Sequence, residues 1–188
     1  MSSAMSDLTK KLRPVIAPLK KKEERTAIEA ATAYLSKELS DHYRILGAEL
    51  RIDKPPDAGK IPDRMIGVVL ADYGKRRNLE VLVDARGKVA KVIDLKGAQP
   101  AYNSEEIADA RAIAEQDSRV AYHAGKKGSF TSEFGPERAG DNARRIGLRY
   151  AVAEKGRIVG GPAHAIVDLS ARKLVHFDEP SAESGSRR

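Results

Sequence analysis

The chain has 188 residues, enough for one large domain or two small ones, with 41% hydrophobic and 32% charged residues. This balance is typical of a soluble globular protein and excludes a disordered chain. The absence of cysteine excludes disulfides, thiolate metal sites and cysteine nucleophiles.

The formal net charge of +7 favours anionic partners such as nucleic acid, lipid headgroups or acidic proteins. No apolar run reaches the ~20 residues that a membrane span requires, and the N-terminus lacks the apolar segment of a secretory signal. We therefore expect a cytoplasmic protein without a membrane span.

The first half of the chain predicts one helix followed by four strands. Residues 1–19 are rich in basic residues and contain Pro14 and Pro18, so we expect a flexible basic arm. A helical pattern over residues 22–39 places four apolar side chains on one face: Ile28, Ala31, Leu35 and Leu39. Alternating or continuous apolar segments then predict strands near residues 46–52, 65–73, 79–83 and 89–95.

The second half begins with another helix. Gly97-Ala98-Gln99-Pro100 is typical of a linker, and Asn103 with Glu106 three residues later forms the start of a capped helix. Its apolar stripe consists of Ile107, Ala110, Ile113 and Ala114. We expect a short strand over residues 119–123, a long exposed loop over residues 125–142, and three strands within residues 145–177.

The two halves therefore share an element order, and short sequence matches accompany it. Ile66-Gly67 corresponds to Ile146-Gly147 at an offset of 80 residues, and Val83-Asp84 corresponds to Val167-Asp168 at an offset of 84. We interpret the chain as an α+β tandem duplication, with one helix on a curled four-stranded antiparallel sheet in each unit. The expected organisation is an arm at 1–19, units at 20–98 and 99–180, and a disordered tail at 181–188.

The middle of the chain resembles the junction between the two small N-terminal domains of copper-containing amine oxidases. The residues that carry the resemblance are Val83-Asp84, Gly87-Lys88-Val89, Gly97-Ala98-Gln99-Pro100, Glu105-Glu106-Ile107, Ala110, Ile113-Ala114, Asp117 and Arg119-Val120. Ala17-Pro18-Leu19, ahead of Glu23-Glu24, is similar to the Pro-Leu segment that opens the first of those domains.

The resemblance implies a cystatin-like fold for each unit, in which one helix is gripped by a four-stranded antiparallel sheet. In that family the quinone cofactor forms from a tyrosine in an Asn-Tyr-Asp/Glu setting, and copper is bound by three histidines, two of them in a His-x-His pair. Here Tyr102 lies in Ala-Tyr-Asn, no His-x-His pair occurs, and the chain ends where the large catalytic domain is expected to begin. We therefore expect the fold but neither the cofactor, the metal nor the activity.

Two sets of residues are candidate sites. A pocket between sheet and helix is common in small α+β folds, and its candidate lining residues are Tyr73, His123, Tyr150 and His176. Ordinary core or surface positions are the competing interpretation. Clustered basic residues form a candidate anion-binding site if they converge: Lys20, Lys22 and Lys21 at a helix start, Lys75, Arg76 and Arg77 in a turn, and Lys126 and Lys127 in the loop.

Three hypotheses follow. The first is a non-catalytic binding or assembly module that acts through protein–protein contact, with a protein partner or a second copy of the chain. The second is a small enzyme or ligand-binding protein that uses a pocket between sheet and helix. The third is a basic protein that binds nucleic acid or an anionic surface.

Overall fold

The structure, a computed structural model, describes residue 10 and residues 12–52, 61–136 and 142–179. Most of the predicted arm and the whole predicted tail at 181–188 lie outside these ranges, although residues 12–16 are described and helical. The chain divides between Pro100 and Ala101 into two compact units, called unit one and unit two below. None of the described helices is long and apolar enough to cross a membrane.

Unit one consists of one long helix and a four-stranded antiparallel sheet in the order β1-β2-β3-β4, called sheet one. Its elements are α1 (Lys21–Leu35), β1 (Tyr43–Ile52), β2 (Arg64–Asp72), β3 (Arg77–Asp84) and β4 (Val89–Asp94). The α+β class and the four strands predicted for this half are confirmed.

The core of unit one lies between α1 and one face of sheet one. Ala27, Ala31 and Leu35 recur every four residues, so they lie on one side of the helix, and all three are buried. They pack against alternate residues of β2 and β3, namely Ile66, Val68, Leu70, Leu79, Val81 and Val83. Because strand side chains alternate between faces, β2 and β3 each present their other residues on the opposite face of the sheet.

Unit two has two helices and a second antiparallel sheet in the order β5-β6-β7-β8, called sheet two. Its elements are α2 (Ser104–Ala114), α3 (Ser118–Ala124), β5 (Ser129–Phe134), β6 (Arg145–Glu154), β7 (Arg157–Asp168) and β8 (Lys173–Asp178). Asn103 caps α2 as predicted: its side chain accepts a hydrogen bond from the amide of Glu106 at 2.8 Å.

Two sequence predictions for unit two are wrong. Residues 119–123 are not a strand but part of α3, because the Asp117 side chain accepts a hydrogen bond from the amide of Arg119 and so starts a helix. The expected loop over residues 125–142 contains β5, although residues 137–141 lie outside the described ranges. The polar composition of this edge strand, with Phe130 and Phe134 separated by Thr131, Ser132 and Glu133, concealed its alternation.

An arginine–glutamate pair fastens the start of the main helix to the sheet in each unit. In unit two, Arg144 donates to both carboxylate oxygens of Glu106 at 2.8 and 2.7 Å, and both side chains are buried. In unit one, Arg64 donates to Glu23 at 3.2 Å, where the two side chains are 12% and 34% exposed. Both arginines also donate to the backbone ahead of the helix, Arg64 to Ala17 and Arg144 to Ala101.

We predict that Arg144→Met lowers the free energy of unfolding by about 3–5 kcal/mol, because it leaves the Glu106 carboxylate buried without its ionic partner. Urea denaturation followed by circular dichroism measures the change. Arg64→Met is the matched comparison and should lower the free energy less, by about 1–2 kcal/mol, because Glu23 is 34% exposed and can be solvated when the arginine is lost. Equal losses for the two variants contradict the prediction.

Candidate functional site

The described pocket lies in unit one, between the first turns of α1 and the end of sheet one that carries the β3–β4 turn. It has a volume of about 340 Å³ and is called the α1 pocket below. Its lining residues are Lys20, Lys22, Glu23, Thr26, Ala27, Arg64, Ile66, Val83, Asp84, Ala85 and Gly87. The pocket therefore combines buried aliphatic side chains with three basic and two acidic residues.

Local structure fixes the two acidic side chains of the α1 pocket. Glu23 is the third residue of α1, and its carboxylate accepts from the amide of Lys20 at 2.9 Å and from Arg64. Asp84 ends β3, and its carboxylate accepts from the turn amides of Arg86 and Lys88 at 2.8 and 2.9 Å. These hydrogen bonds lower the pKa of both carboxyl groups. The largest contribution comes from the amide of Lys20 for Glu23 and from the amide of Lys88 for Asp84.

A carboxylate with a lowered pKa stays ionised at neutral pH and is a weak general base. Both carboxylates already accept hydrogen bonds from the protein, and Thr26 supplies a hydroxyl group to the lining. No group of three histidine or carboxylate side chains within the described parts of the chain lies close enough together to hold a metal ion. The α1 pocket thus presents charged and apolar groups of the kind that bind small ligands.

The four tyrosine and histidine candidates lie elsewhere. Tyr73 belongs to unit one and is buried, and its ring contacts that of His42 with the centroids 4.7 Å apart and the planes tilted by 40°. The other three belong to unit two. His123 is buried beside Phe177, Tyr150 is in the core, and His176 is exposed and paired with Asp178 at 2.9 Å.

The structure separates the basic clusters of unit one. Lys20, Lys21 and Lys22 lie at the start of α1, whereas Lys75 and Arg77 both donate to the carbonyl of Glu38, beyond the end of the same helix. A helix of 15 residues is roughly 22 Å long, so the two clusters lie at opposite ends. Arg76 has a positive φ of 51° in the β2–β3 turn. Lys126 and Lys127 follow α3 in unit two.

Sequence reasoning missed Arg64, Asp84 and the α1 pocket itself. A signal for Arg64 was present, because Arg64 and Arg144 are separated by the same 80 residues as Ile66-Gly67 and Ile146-Gly147. The pocket left no comparable signal, since its floor residues are ordinary core positions.

Tyr150 has an unusual environment among the sequence candidates. It is 2% exposed, and its hydroxyl has no hydrogen-bond partner among the described residues. Burial, together with the nearby charge of Glu115, raises the pKa of Tyr150 to about 12. Tyr102, in contrast, donates its hydroxyl to the carbonyl of Arg145 at 2.8 Å.

Comparisons with known proteins agree with the fold. No protein-family model and no curated protein matches the chain. Among solved structures, the chain is similar to a copper-containing benzylamine oxidase from Hansenula polymorpha, with a TM-score of 0.59 and 11% sequence identity over 86% of this chain and 29% of that chain. A match to the C-terminal domain of Bacillus megaterium YpeB covers 86% of this chain and 63% of that chain at 10% identity. Its TM-score of 0.27 is below the level that indicates a common fold.

The predicted resemblance to the N-terminal domains of copper-containing amine oxidases is therefore confirmed at the level of the fold. The chain spans less than a third of that oxidase, and an identity of 11% carries no residue role across.

We predict that Tyr150→Phe leaves the free energy of unfolding unchanged or raises it by up to about 1 kcal/mol, because it removes a buried hydroxyl without a partner. Tyr102→Phe is the control and should lower the free energy by about 1 kcal/mol, since it deletes a hydrogen bond. Chemical denaturation of both variants gives the comparison. A loss at Tyr150 as large as that at Tyr102 contradicts the prediction.

We predict that His123 makes the protein less stable in mild acid. Burial is the main cause that lowers the pKa of His123 below the ordinary 6.5. The second cause is the positive charge of Lys126, whose Nζ lies 3.5 Å from Nδ1 of His123. As the pH falls below about 6.5, the unfolded chain binds a proton that the folded chain does not, so the free energy of unfolding decreases.

An NMR titration of the His123 ring protons measures the pKa of the folded state. Lys126→Gln should raise the pKa of His123 towards its ordinary value, because it removes the second cause. A pKa of 6.5 or above in the unmodified chain contradicts the prediction.

Proposed function

We propose that the chain is a non-catalytic binding module of two cystatin-like units, derived from a tandem duplication, that acts through protein–protein contact. The organisation we propose is that predicted from the sequence: an arm at 1–19, units at 20–98 and 99–180, a tail at 181–188, and a cytoplasmic location. The observation that carries the contact function is an apolar surface on the outer face of sheet one.

The strand registers support the duplication. Ile66 pairs with Val83 across β2 and β3, and Ile146 pairs with Val167 across β6 and β7. Val83 follows Ile66 by 17 residues, and Val167 follows Ile146 by 21. The β6–β7 hairpin is therefore four residues longer, which accounts for the difference between the sequence offsets of 80 and 84. The two sequence matches are thus cross-strand neighbours in both sheets.

Side-chain contacts support the duplication as well. Glu23 and Glu106 are each the third residue of their helix, and each accepts from an arginine two residues ahead of the matched isoleucine. The glycine after that isoleucine is covered by a neighbouring strand's side chain in both units. Arg51 and Glu80 lie over Gly67, and the ring of Phe134 lies over Gly147.

The outer face of sheet one, the face opposite α1, carries four half-buried apolar side chains. By strand register, Met65 and Val69 of β2, Leu82 of β3 and Ile93 of β4 share this face. These apolar side chains alternate with charged ones, since Glu80 lies between Val69 and Ile93 in the register. A half-buried face of mixed apolar and charged side chains is typical of contacts between proteins that also exist apart. We use "outer face of sheet one" for this set of residues.

We propose a second copy of the chain as the partner. Among the four apolar residues lies the ion pair between Arg51 Nε and Glu80 Oε1 at 2.6 Å, with side chains 41% and 12% exposed. On the same face, Arg51 Nη2 also pairs with Glu49 Oε1 at 3.0 Å. In a twofold-symmetric contact the same surface occurs on both subunits, so each copy offers its partner charges of both signs. An apolar surface around such a pair is therefore compatible with itself.

We predict concentration-dependent self-association of the full chain, with a mass above the monomer's 20.5 kDa in size-exclusion chromatography with light scattering. Leu82→Glu should raise the concentration required at least tenfold, because it replaces an apolar side chain of the contact with a charged one in both copies. Ile158→Glu is the matched control, an apolar residue 64% exposed in unit two, and should have no effect.

Two results contradict the proposed contact. One is a mass of 20.5 kDa at every concentration up to the millimolar range. The other is an association that Ile158→Glu weakens as much as Leu82→Glu does.

A further inference from the structure

We propose that the α1 pocket binds a small amphipathic carboxylate, with its apolar body on the pocket floor and its carboxylate beside Lys20 and Lys22. The inference is independent of the proposed protein contact. The pocket is lined by Ile66 and Val83 on the helix-facing side of sheet one, whereas the contact surface is on the other side.

The charges around the pocket indicate an anionic ligand. Both acidic side chains of the lining already accept hydrogen bonds from the protein: Glu23 from Arg64 and the amide of Lys20, and Asp84 from two turn amides. The ammonium groups of Lys20 and Lys22, in contrast, take part in no ion pair with any residue that the structure describes. The groups left for a ligand to satisfy are therefore cationic donors.

The balance of charge favours a ligand with a single negative charge. Three basic residues line the pocket, Lys20, Lys22 and Arg64, against the two carboxylates of Glu23 and Asp84. The excess is one positive charge, which a carboxylate neutralises and a phosphate dianion exceeds. Arg64 is held in place by the carbonyls of Val15 and Ala17 at 2.9 and 2.7 Å.

The floor of the pocket indicates an apolar body. Ala27, Ile66, Val83 and Ala85 line it and carry no polar side chain, so the lining is predominantly apolar. A volume of about 340 Å³ equals that of roughly eleven water molecules at about 30 Å³ each, which is space for about ten non-hydrogen atoms. A small ligand with an apolar body and one polar group matches the general character of binding pockets.

The test uses sodium octanoate, a carboxylate with ten non-hydrogen atoms, added to the full chain labelled for NMR. We expect saturable shifts of the amide signals of Ala27, Ile66 and Val83. Octylammonium, which has the same kind of body and the opposite charge, should bind at least tenfold more weakly, and acetate, which lacks the body, should cause no saturable shifts. Octyl phosphate should bind no more tightly than octanoate.

Lysine variants test the position of the carboxylate. Lys20→Gln and Lys22→Gln should each weaken octanoate binding by roughly two- to fivefold, the range of a partly exposed ion pair. Lys21→Gln is the matched control, because Lys21 lies between them in sequence but does not line the pocket, and it should change the affinity by less than twofold.

Any of three results overturns the proposal: no saturable shift at the floor residues, octylammonium binding as tight as that of octanoate, or an equal loss in Lys21→Gln and Lys22→Gln. Tighter binding of octyl phosphate than of octanoate overturns the assignment to a carboxylate. Because all three lysines are exposed at the start of α1, these substitutions leave the core intact.

Discussion

The arrangement of each unit depends on the ionic contact between the first turn of its main helix and the start of the second strand of its sheet. The same glutamate satisfies the backbone at the helix start and holds an arginine, and that arginine also binds the chain before the helix. The helix start and the second strand, which are 41 residues apart in unit one and 38 in unit two, are thereby fixed at one point. Tyr102 adds to this point in unit two, since the Arg144 guanidinium lies 4.6 Å from the centre of its ring.

This contact also forms one side of the α1 pocket. Glu23 and Arg64 are needed to start the helix and attach it to β2, so their charges are largely engaged within the protein. The ammonium groups of Lys20 and Lys22 lie at the mouth of the pocket and form no ion pair with the residues that the structure describes. The more exposed of the two pairs thus lines a cavity, whereas the Glu106–Arg144 pair of unit two is buried.

Much of the fold follows from local sequence patterns. The helix start at Asn103 and the four strands of unit one were predictable because capping residues and period-two alternation are local signals. The failure at residues 119–123 had a physical cause: Val120 and Tyr122 alternate like a strand, but the Asp117 cap selects a helix. The α1 pocket was not predictable because it depends on how Ala27 of a helix meets Ile66 and Val83 of two strands.

The contacts of Lys75 and Arg77 with the Glu38 carbonyl have a consequence for the protein's positive charge. These two side chains complete the backbone hydrogen bonding beyond the end of α1, where the partial negative charge of the helix lies. A polyanion that approaches this turn has to compete with that carbonyl for Lys75 and Arg77. Binding there therefore releases fewer of the counterions condensed on the polyanion than two free positive charges would release. The count of 34 lysine and arginine residues therefore overstates the number of cations that an extended phosphate backbone meets without rearrangement.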